Sequence, residues 1–207
     1  MDQPADPPPP GVTCYSAGEG GLMKSSQALR GRLLHPLLTL LAFLRVTPNQ
    51  LTLLSLLTGL AFCPCFHWGW RGAAFVLLLA HVLLDGLDGP LARHLGRASS
   101  RGSFTDTMAD QVVITFSTIT LIQSGYASAW PGGLYLFFYG VVVIFAMVRN
   151  AIAKPYSWLV RPRLIVYAWI PVEVYLWRGT LDVLLWISTV LLALKMWTGF
   201  IHIRRKL

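Results

Sequence analysis

The sequence is poor in charge, and above all in negative charge. Only 13% of its 207 residues are charged, and 9 acidic residues stand against 17 lysines and arginines. Because the basic residues form no long run and fall mostly between apolar segments, they favour lipid headgroups and anionic substrates over nucleic acid. The three cysteines form no C-x-x-C pair, are best explained as apolar filler and do not fix a redox compartment.

What the chain has in quantity is apolar sequence. Hydrophobic residues make up 55% of it, and the mean hydropathy is +0.57, which is typical of a polytopic membrane protein. Residues 1–22 predict a disordered tail, and residues 23–207 predict one membrane domain. The apolar run Leu33–Leu44 is short and flanked by basic residues, so we expect an amphipathic helix on the membrane surface. The fold is predicted to be all-α, with six transmembrane helices at about 51–68, 72–91, 103–124, 132–153, 163–177 and 181–202.

The distribution of lysine and arginine predicts the orientation in the membrane. With a cytoplasmic N-terminus, 14 of the 17 basic residues fall on the cytoplasmic side, and only Arg71 and Arg178 fall on the other. Lys195 lies within the sixth predicted span. We therefore expect both termini, and the acidic stretch described next, to open to the cytoplasm.

Four aspartates lie between residues 85 and 110, and the chain has no other acidic residue between Gly20 and Val172. Asp85 and Asp88 are three residues apart, and Asp106 and Asp110 are four apart, so on helices each pair shares one face. Carboxylates beside membrane spans are costly without a compensating charge. Because hard divalent cations prefer oxygen ligands, the two pairs predict a cation site.

This stretch resembles the signature of the CDP-alcohol phosphatidyltransferases. It reads Asp85-x2-Asp88-Gly89-x2-Ala92-Arg93-x8-Gly102-x3-Asp106-x3-Asp110, with eight specified residues in 26 positions. The flanking sequence, including Thr47-Pro48-Asn49-Gln50, is also similar to the family, so the resemblance covers roughly residues 30–205. Within the family, the chain resembles class I members of the phosphatidylglycerophosphate synthase or phosphatidylinositol phosphate synthase kind.

The resemblance implies an enzyme of phospholipid biosynthesis. Such an enzyme transfers a phosphatidyl group from a CDP-linked lipid, such as CDP-diacylglycerol, to a hydroxyl acceptor and releases CMP. It implies two Mg²⁺ or Mn²⁺ ions held by four ligands, Asp85, Asp88, Asp106 and Asp110. Asp110 would also be the catalytic general base, and the donor pocket would be lined by Gly89, Ala92, Arg93 and Gly102. A homodimer among membrane lipids, in a bacterial plasma membrane rather than an organelle membrane, is also expected.

The basic residues around the loop between the fourth and fifth predicted spans bear on the acceptor. They are Arg149, Lys154, Arg161 and Arg163. Because arginine suits bidentate contact with phosphate, they predict a phosphorylated acceptor, either glycerol 3-phosphate or inositol phosphate. The alternative that they only follow the positive-inside rule stays open.

Two other functions fit an aspartate-rich membrane protein. An intramembrane prenyltransferase acting on an isoprenoid diphosphate also uses acidic motifs, but the two pairs here fall within 26 residues. A non-enzymatic divalent-cation transporter also needs carboxylates, but the arginine-rich loop that follows Asp88 would repel a cation. The acidic stretch therefore favours phosphatidyl transfer over both.

Overall fold

Helices form the whole regular structure in the part of the chain that the computed structural model describes, residues 34–151 and 162–205. They are α1 (Leu34–Phe43), α2 (Pro48–His67), α3 (Arg71–His94), α4 (Ser100–Gln123), α5 (Ala129–Ala151), α6 (Arg163–Tyr175) and α7 (Thr180–Arg204). The predicted all-α fold is confirmed for these residues. The predicted tail, residues 1–22, lies outside them.

Side-chain caps begin α2 and α4. The Thr47 hydroxyl accepts a hydrogen bond from the backbone N–H of Gln50 at 3.3 Å, and the Gln50 side chain accepts one from the Thr47 N–H at 2.8 Å. With Pro48 as the first residue of α2, this is a capping box with a preset backbone. The Ser99 hydroxyl similarly accepts from the Gly102 N–H at 3.1 Å and starts α4.

Four helices among the described residues, α2, α3, α5 and α7, are long and apolar enough to cross a membrane. Only 28–33% of their most apolar stretches is buried inside the protein. The exposed remainder includes large apolar side chains such as Leu57, Val76 and Ile187, and such a surface suits lipid rather than water. The chain is therefore an integral membrane protein.

The other predicted spans correspond to α4 and α6, which differ from these four. Helix α4 has 24 residues but is more polar, since it carries Asp106, Asp110 and several hydroxyl side chains. Helix α6 has 13 residues and is about 20 Å long, less than the ~30 Å of a hydrocarbon core. Six spans preceded by a surface helix thus remain a prediction.

Helix α2 holds α3 and α4 in place, because it packs extensively on both. Gly59 lies where α2 approaches both α3 and α4 closely. A Cβ atom at this position would lie 2.6 Å from Cγ1 of Val113 in α4 and 3.1 Å from Nδ1 of His81 in α3. Glycine is therefore required for α2 to lie against both helices that carry the aspartates.

Helix α1 packs near the end of α3 that follows its aspartates. Leu38 of α1 forms a small apolar cluster with Leu51 of α2 and Leu91 of α3. The rings of His35 and His94 also lie edge to face, with centroids 5.6 Å apart. At 10 residues, α1 is too short to span a membrane by itself.

Glu173 of α6 is buried, with 2% of its surface exposed, and it caps α7. Its carboxylate accepts hydrogen bonds from the N–H groups of Gly179 at 2.5 Å and Leu181 at 2.7 Å. From the sequence alone, Glu173 and Lys195 inside two neighbouring predicted spans would favour an ion pair between them. That pairing is wrong, because Lys195 lies about 20 Å farther along α7 than the cap.

We expect Glu173→Gln to destabilise the protein without changing its chemistry. An amide can accept from only one of the two N–H groups, and the unpaired one would cost about 1–3 kcal/mol. A lower Tm in detergent, with CMP release per folded molecule unchanged, would bear this out. Glu173→Asp, which keeps the carboxylate, should lose less; an unaltered Tm in Glu173→Gln would contradict the capping role.

Candidate active site

Three of the four predicted aspartates meet between α3 and α4. One carboxylate oxygen from each of Asp85, Asp106 and Asp110 lies within 4.8 Å of the other two. The side chains of Asp85 and Asp110 are each 13% exposed, so the cluster lies at the edge of the protein interior. Three carboxylates at this separation repel one another unless positive charge lies among them.

Asp88 has a different immediate partner. It is 6% exposed, and the Thr52 hydroxyl of α2 donates a hydrogen bond to its Oδ2 at 2.6 Å. It also interacts electrostatically with Asp106. Sequence reasoning did not identify Thr52, since a threonine 36 positions away in an apolar helix gives no local signal of this contact.

Arg163, the first residue of α6, lies against the aspartate cluster. Its Nη2 donates to Oδ2 of Asp85 at 2.8 Å, and its Nη1 pairs with Oδ2 of Asp110. The arginine side chain is 10% exposed. The sequence placed Arg163 with the acceptor phosphate, and the structure adds two carboxylates as its neighbours.

The predicted donor-pocket residues lie on the two helices that carry the aspartates. Gly89, Ala92 and Arg93 follow Asp88 on α3, and Gly102 lies in the first turn of α4. The Arg93 guanidinium reaches back over Gly89, since a Cβ there would lie 3.5 Å from its Nη1. The missing side chain lets this exposed guanidinium lie against the helix backbone, where its donors suit contact with a phosphate.

The remaining predicted basic residues are only partly within the described chain. Arg149 lies in the last turn of α5 and is 7% exposed. Lys154 and Arg161 lie outside the described residues. Of the four residues predicted for the acceptor, the structure thus describes Arg149 and Arg163.

His81, four residues before Asp85, is a packed histidine with hydrogen-bond partners. It is 2% exposed, and its Nδ1 lies 2.8 Å from the Ser55 hydroxyl of α2. Its ring also packs edge to face on Tyr167 of α6, with centroids 5.9 Å apart. His81 therefore ties α2, α3 and α6 together beneath the aspartates.

The cluster offers hard oxygen ligands at one position and arginines beside it. Carboxylates in this grouping suit Mg²⁺ or Mn²⁺, and arginines at the cluster and over Gly89 suit phosphate. A membrane protein with such a site is equipped to bind a phosphate-bearing molecule at the lipid boundary.

The sequence matches the family model for CDP-alcohol phosphatidyltransferase over residues 45–201, and the chain belongs to that family.

Relatives named for different acceptors resemble the chain. The CDP-diacylglycerol–serine O-phosphatidyltransferase of Mycobacterium tuberculosis is 32% identical over 107 residues, covering 51% of this chain and 37% of the relative. The archaetidylinositol phosphate synthase of Pyrococcus horikoshii is 39% identical over 72 residues, covering 35% and 38%. The CDP-diacylglycerol–glycerol-3-phosphate 3-phosphatidyltransferase of Pseudomonas fluorescens is 31% identical over 87 residues, covering 40% and 44%. The alignments thus span less than half the length of each of these three relatives.

Proposed function

We propose that the protein transfers a phosphatidyl group from a CDP-linked lipid to a hydroxyl acceptor, with release of CMP. The observation that carries this proposal is the meeting of Asp85, Asp106 and Asp110 in a chain of the CDP-alcohol phosphatidyltransferase family. The acceptor oxygen forms a bond to the lipid phosphorus, and the bond from that phosphorus to the CMP oxygen breaks. Family membership favours this reaction over prenyl transfer and cation transport.

The donor set fits two divalent cations. Carboxylate oxygens from two helices are hard ligands, and Asp88 lies close enough to Asp106 to interact with it, so all four aspartates can contribute. Mg²⁺ or Mn²⁺ bound there would supply positive charge to the diphosphate and to the acceptor oxygen. The ligands would be Asp85, Asp88, Asp106 and Asp110.

The chain's own residues account for the remaining steps. Asp110, the deeper of the two aspartates on α4, takes the proton of the acceptor hydroxyl as general base. Gly89, Ala92 and Gly102 let the cytidine diphosphate approach the helix backbones, while Arg93 binds a phosphate oxygen. Substrate held in this way excludes water from the reacting phosphorus and so favours transfer over hydrolysis.

CMP release tests the function directly. The full chain, purified in detergent, is given CDP-diacylglycerol, Mg²⁺ or Mn²⁺, and one acceptor at a time: glycerol 3-phosphate, inositol phosphate, serine or inositol. Cation-dependent CMP release that requires one acceptor would support the proposal. No CMP release with any acceptor in either metal would overturn it.

We further propose that the acceptor carries a phosphate. Arg149 is buried in the last turn of α5, and a buried guanidinium suits an anionic ligand more than a neutral one. Glycerol 3-phosphate is our first candidate and inositol phosphate the second. Lys154 and Arg161 are proposed to share this role.

We propose that both termini and the aspartates lie on the cytoplasmic side of a bacterial plasma membrane. We also propose six crossings with a surface helix before them. The assembly is proposed to be a homodimer. Support for the orientation comes from the 14 basic residues that fall on that side. The exposed tryptophans at the other end of the helices, such as Trp68 and Trp130, suit a membrane interface. Molecular mass in nanodiscs would test the dimer.

Cysteine labelling is expected to show that two positions at opposite ends of the helices are exposed on opposite sides of the membrane. In a background without the three native cysteines, Ala98→Cys should react with a membrane-impermeant maleimide only from the cytoplasmic side, and Ala129→Cys only from the other. Both positions are exposed in the structure, so reactivity will report sidedness rather than burial. Labelling of both from one side would rule the topology out.

A further inference from the structure

Arg163 uses the same carboxylates that are proposed to hold the cations. Its guanidinium pairs with Asp85 of α3 at 2.8 Å and with Asp110 of α4, and both aspartates belong to the group whose oxygens could share one ion. An arginine and a divalent cation repel each other at this distance, most strongly where water is scarce. The two positive partners therefore cannot both bind these oxygens at full strength.

The position of Arg163 is fixed by the packing of α6 on α3. One helical turn deeper, His81 of α3 packs on Tyr167 of α6. His81 lies four residues before Asp85, and Tyr167 lies four residues after Arg163. The two contacts form successive layers between antiparallel helices, and the register places the guanidinium at the cluster. Asp106, by contrast, interacts with Asp88 of α3, so the guanidinium pairs with two of the three clustered carboxylates.

We propose that Arg163 is an internal counter-cation that competes with the divalent metal for Asp85 and Asp110. This inference rests on the proposed metal site. In the absence of metal, Arg163 neutralises part of the cluster and keeps the two helices together. When metal binds, the guanidinium gives up at least one carboxylate, and it is then able to contact a phosphate of the incoming substrate. Arg163 thus lowers metal affinity and makes metal binding and phosphate binding support each other.

Mn²⁺ binding to the purified full chain tests this without any lipid substrate. We expect Arg163→Gln to bind Mn²⁺ about tenfold more tightly than the unaltered protein, because the competing partner is removed. Arg163→Lys, which keeps the positive charge but loses the planar fork of guanidinium donors, should fall between them. Arg97→Gln, which removes an exposed charge from the loop after α3, should change affinity less than twofold. Free Mn²⁺ is measured by electron paramagnetic resonance across a titration.

Thermal unfolding gives a second readout. In EDTA, Arg163→Gln should have a lower Tm than the unaltered protein, because the carboxylates lose their counter-charge. Saturating Mn²⁺ should then raise the Tm of the variant by more than it raises that of the unaltered protein. If Arg163→Gln does not fold even with Mn²⁺, the cation cannot replace the arginine and the inference is overturned.

The outcomes separate this inference from the proposed function. Unchanged or weaker Mn²⁺ binding in Arg163→Gln would make Arg163 a fixed structural bridge and overturn the competition alone. No saturable Mn²⁺ binding to the unaltered chain would overturn the metal site and the competition together. A chain that binds Mn²⁺ as expected but releases no CMP would overturn only the proposed reaction.

Discussion

Asparagine at position 85, 88, 106 or 110 is expected to reduce CMP release by about 10²- to 10⁴-fold. Each substitution keeps the size of the side chain but removes a negative charge and a strong oxygen ligand. Asp85, Asp106 and Asp110 meet within 4.8 Å, so the loss of one alters the charge felt at the other two. Initial rates of CMP release at saturating CDP-diacylglycerol and Mg²⁺, normalised to folded protein, provide the measurement.

Double substitutions sharpen the test. Residues that act as one unit are far from additive, so Asp85→Asn combined with Asp110→Asn should cost little more than either alone. Asp182→Asn is the matched control, because Asp182 accepts hydrogen bonds from Ser128 at the opposite end of the helices. It should retain most of the activity. Near-normal turnover in any one of the four variants would remove that residue from the site.

The sequence was sufficient to predict the helices and the meeting of the aspartates. Spacings of three and four residues place each pair of aspartates on one face of a helix. Because the stretches on both sides are apolar, carboxylates here are costly unless they share a compensating positive charge. The number of membrane crossings was harder to predict. Hydropathy identifies α2, α3, α5 and α7 clearly, but α4 is more polar because it carries Asp106, Asp110 and several hydroxyl side chains.

Contacts between distant residues could not be read from local patterns. Arg163 and Asp85 are 78 positions apart, and Thr52 and Asp88 are 36 apart. Each pairing depends on how α2 and α6 are rotated against α3, which is decided by close packing such as that at Gly59. The Glu173 cap escaped prediction for another reason. Within an apolar helix a lone acid suggests an ion pair, whereas backbone N–H groups at the start of the next helix also satisfy it.

Arg149→Gln is expected to raise the KM for the acceptor by about 10- to 100-fold while the KM for the CDP-lipid stays within about twofold. A hydrogen bond to a charged group contributes about 1.5–3 kcal/mol, which corresponds to this range. Arg149 is buried in the last turn of α5, where a positive charge also stabilises the helix end. A purely structural role would lower Tm and the amount of active enzyme, but it would not alter one KM selectively.

Steady-state kinetics with the acceptor varied at saturating donor, and then the reverse, separate these possibilities. Arg149→Lys keeps the charge and should recover part of the acceptor affinity, although it loses the two-point contact that a guanidinium makes with phosphate. Arg178→Gln, at an exposed position at the other end of the helices, is the control and should leave both KM values unchanged. An acceptor KM that Arg149→Gln leaves unaltered would refute the phosphate-binding role. Efficient turnover with serine or free inositol would refute it as well, because neither carries the phosphate that a buried guanidinium at this position is proposed to bind.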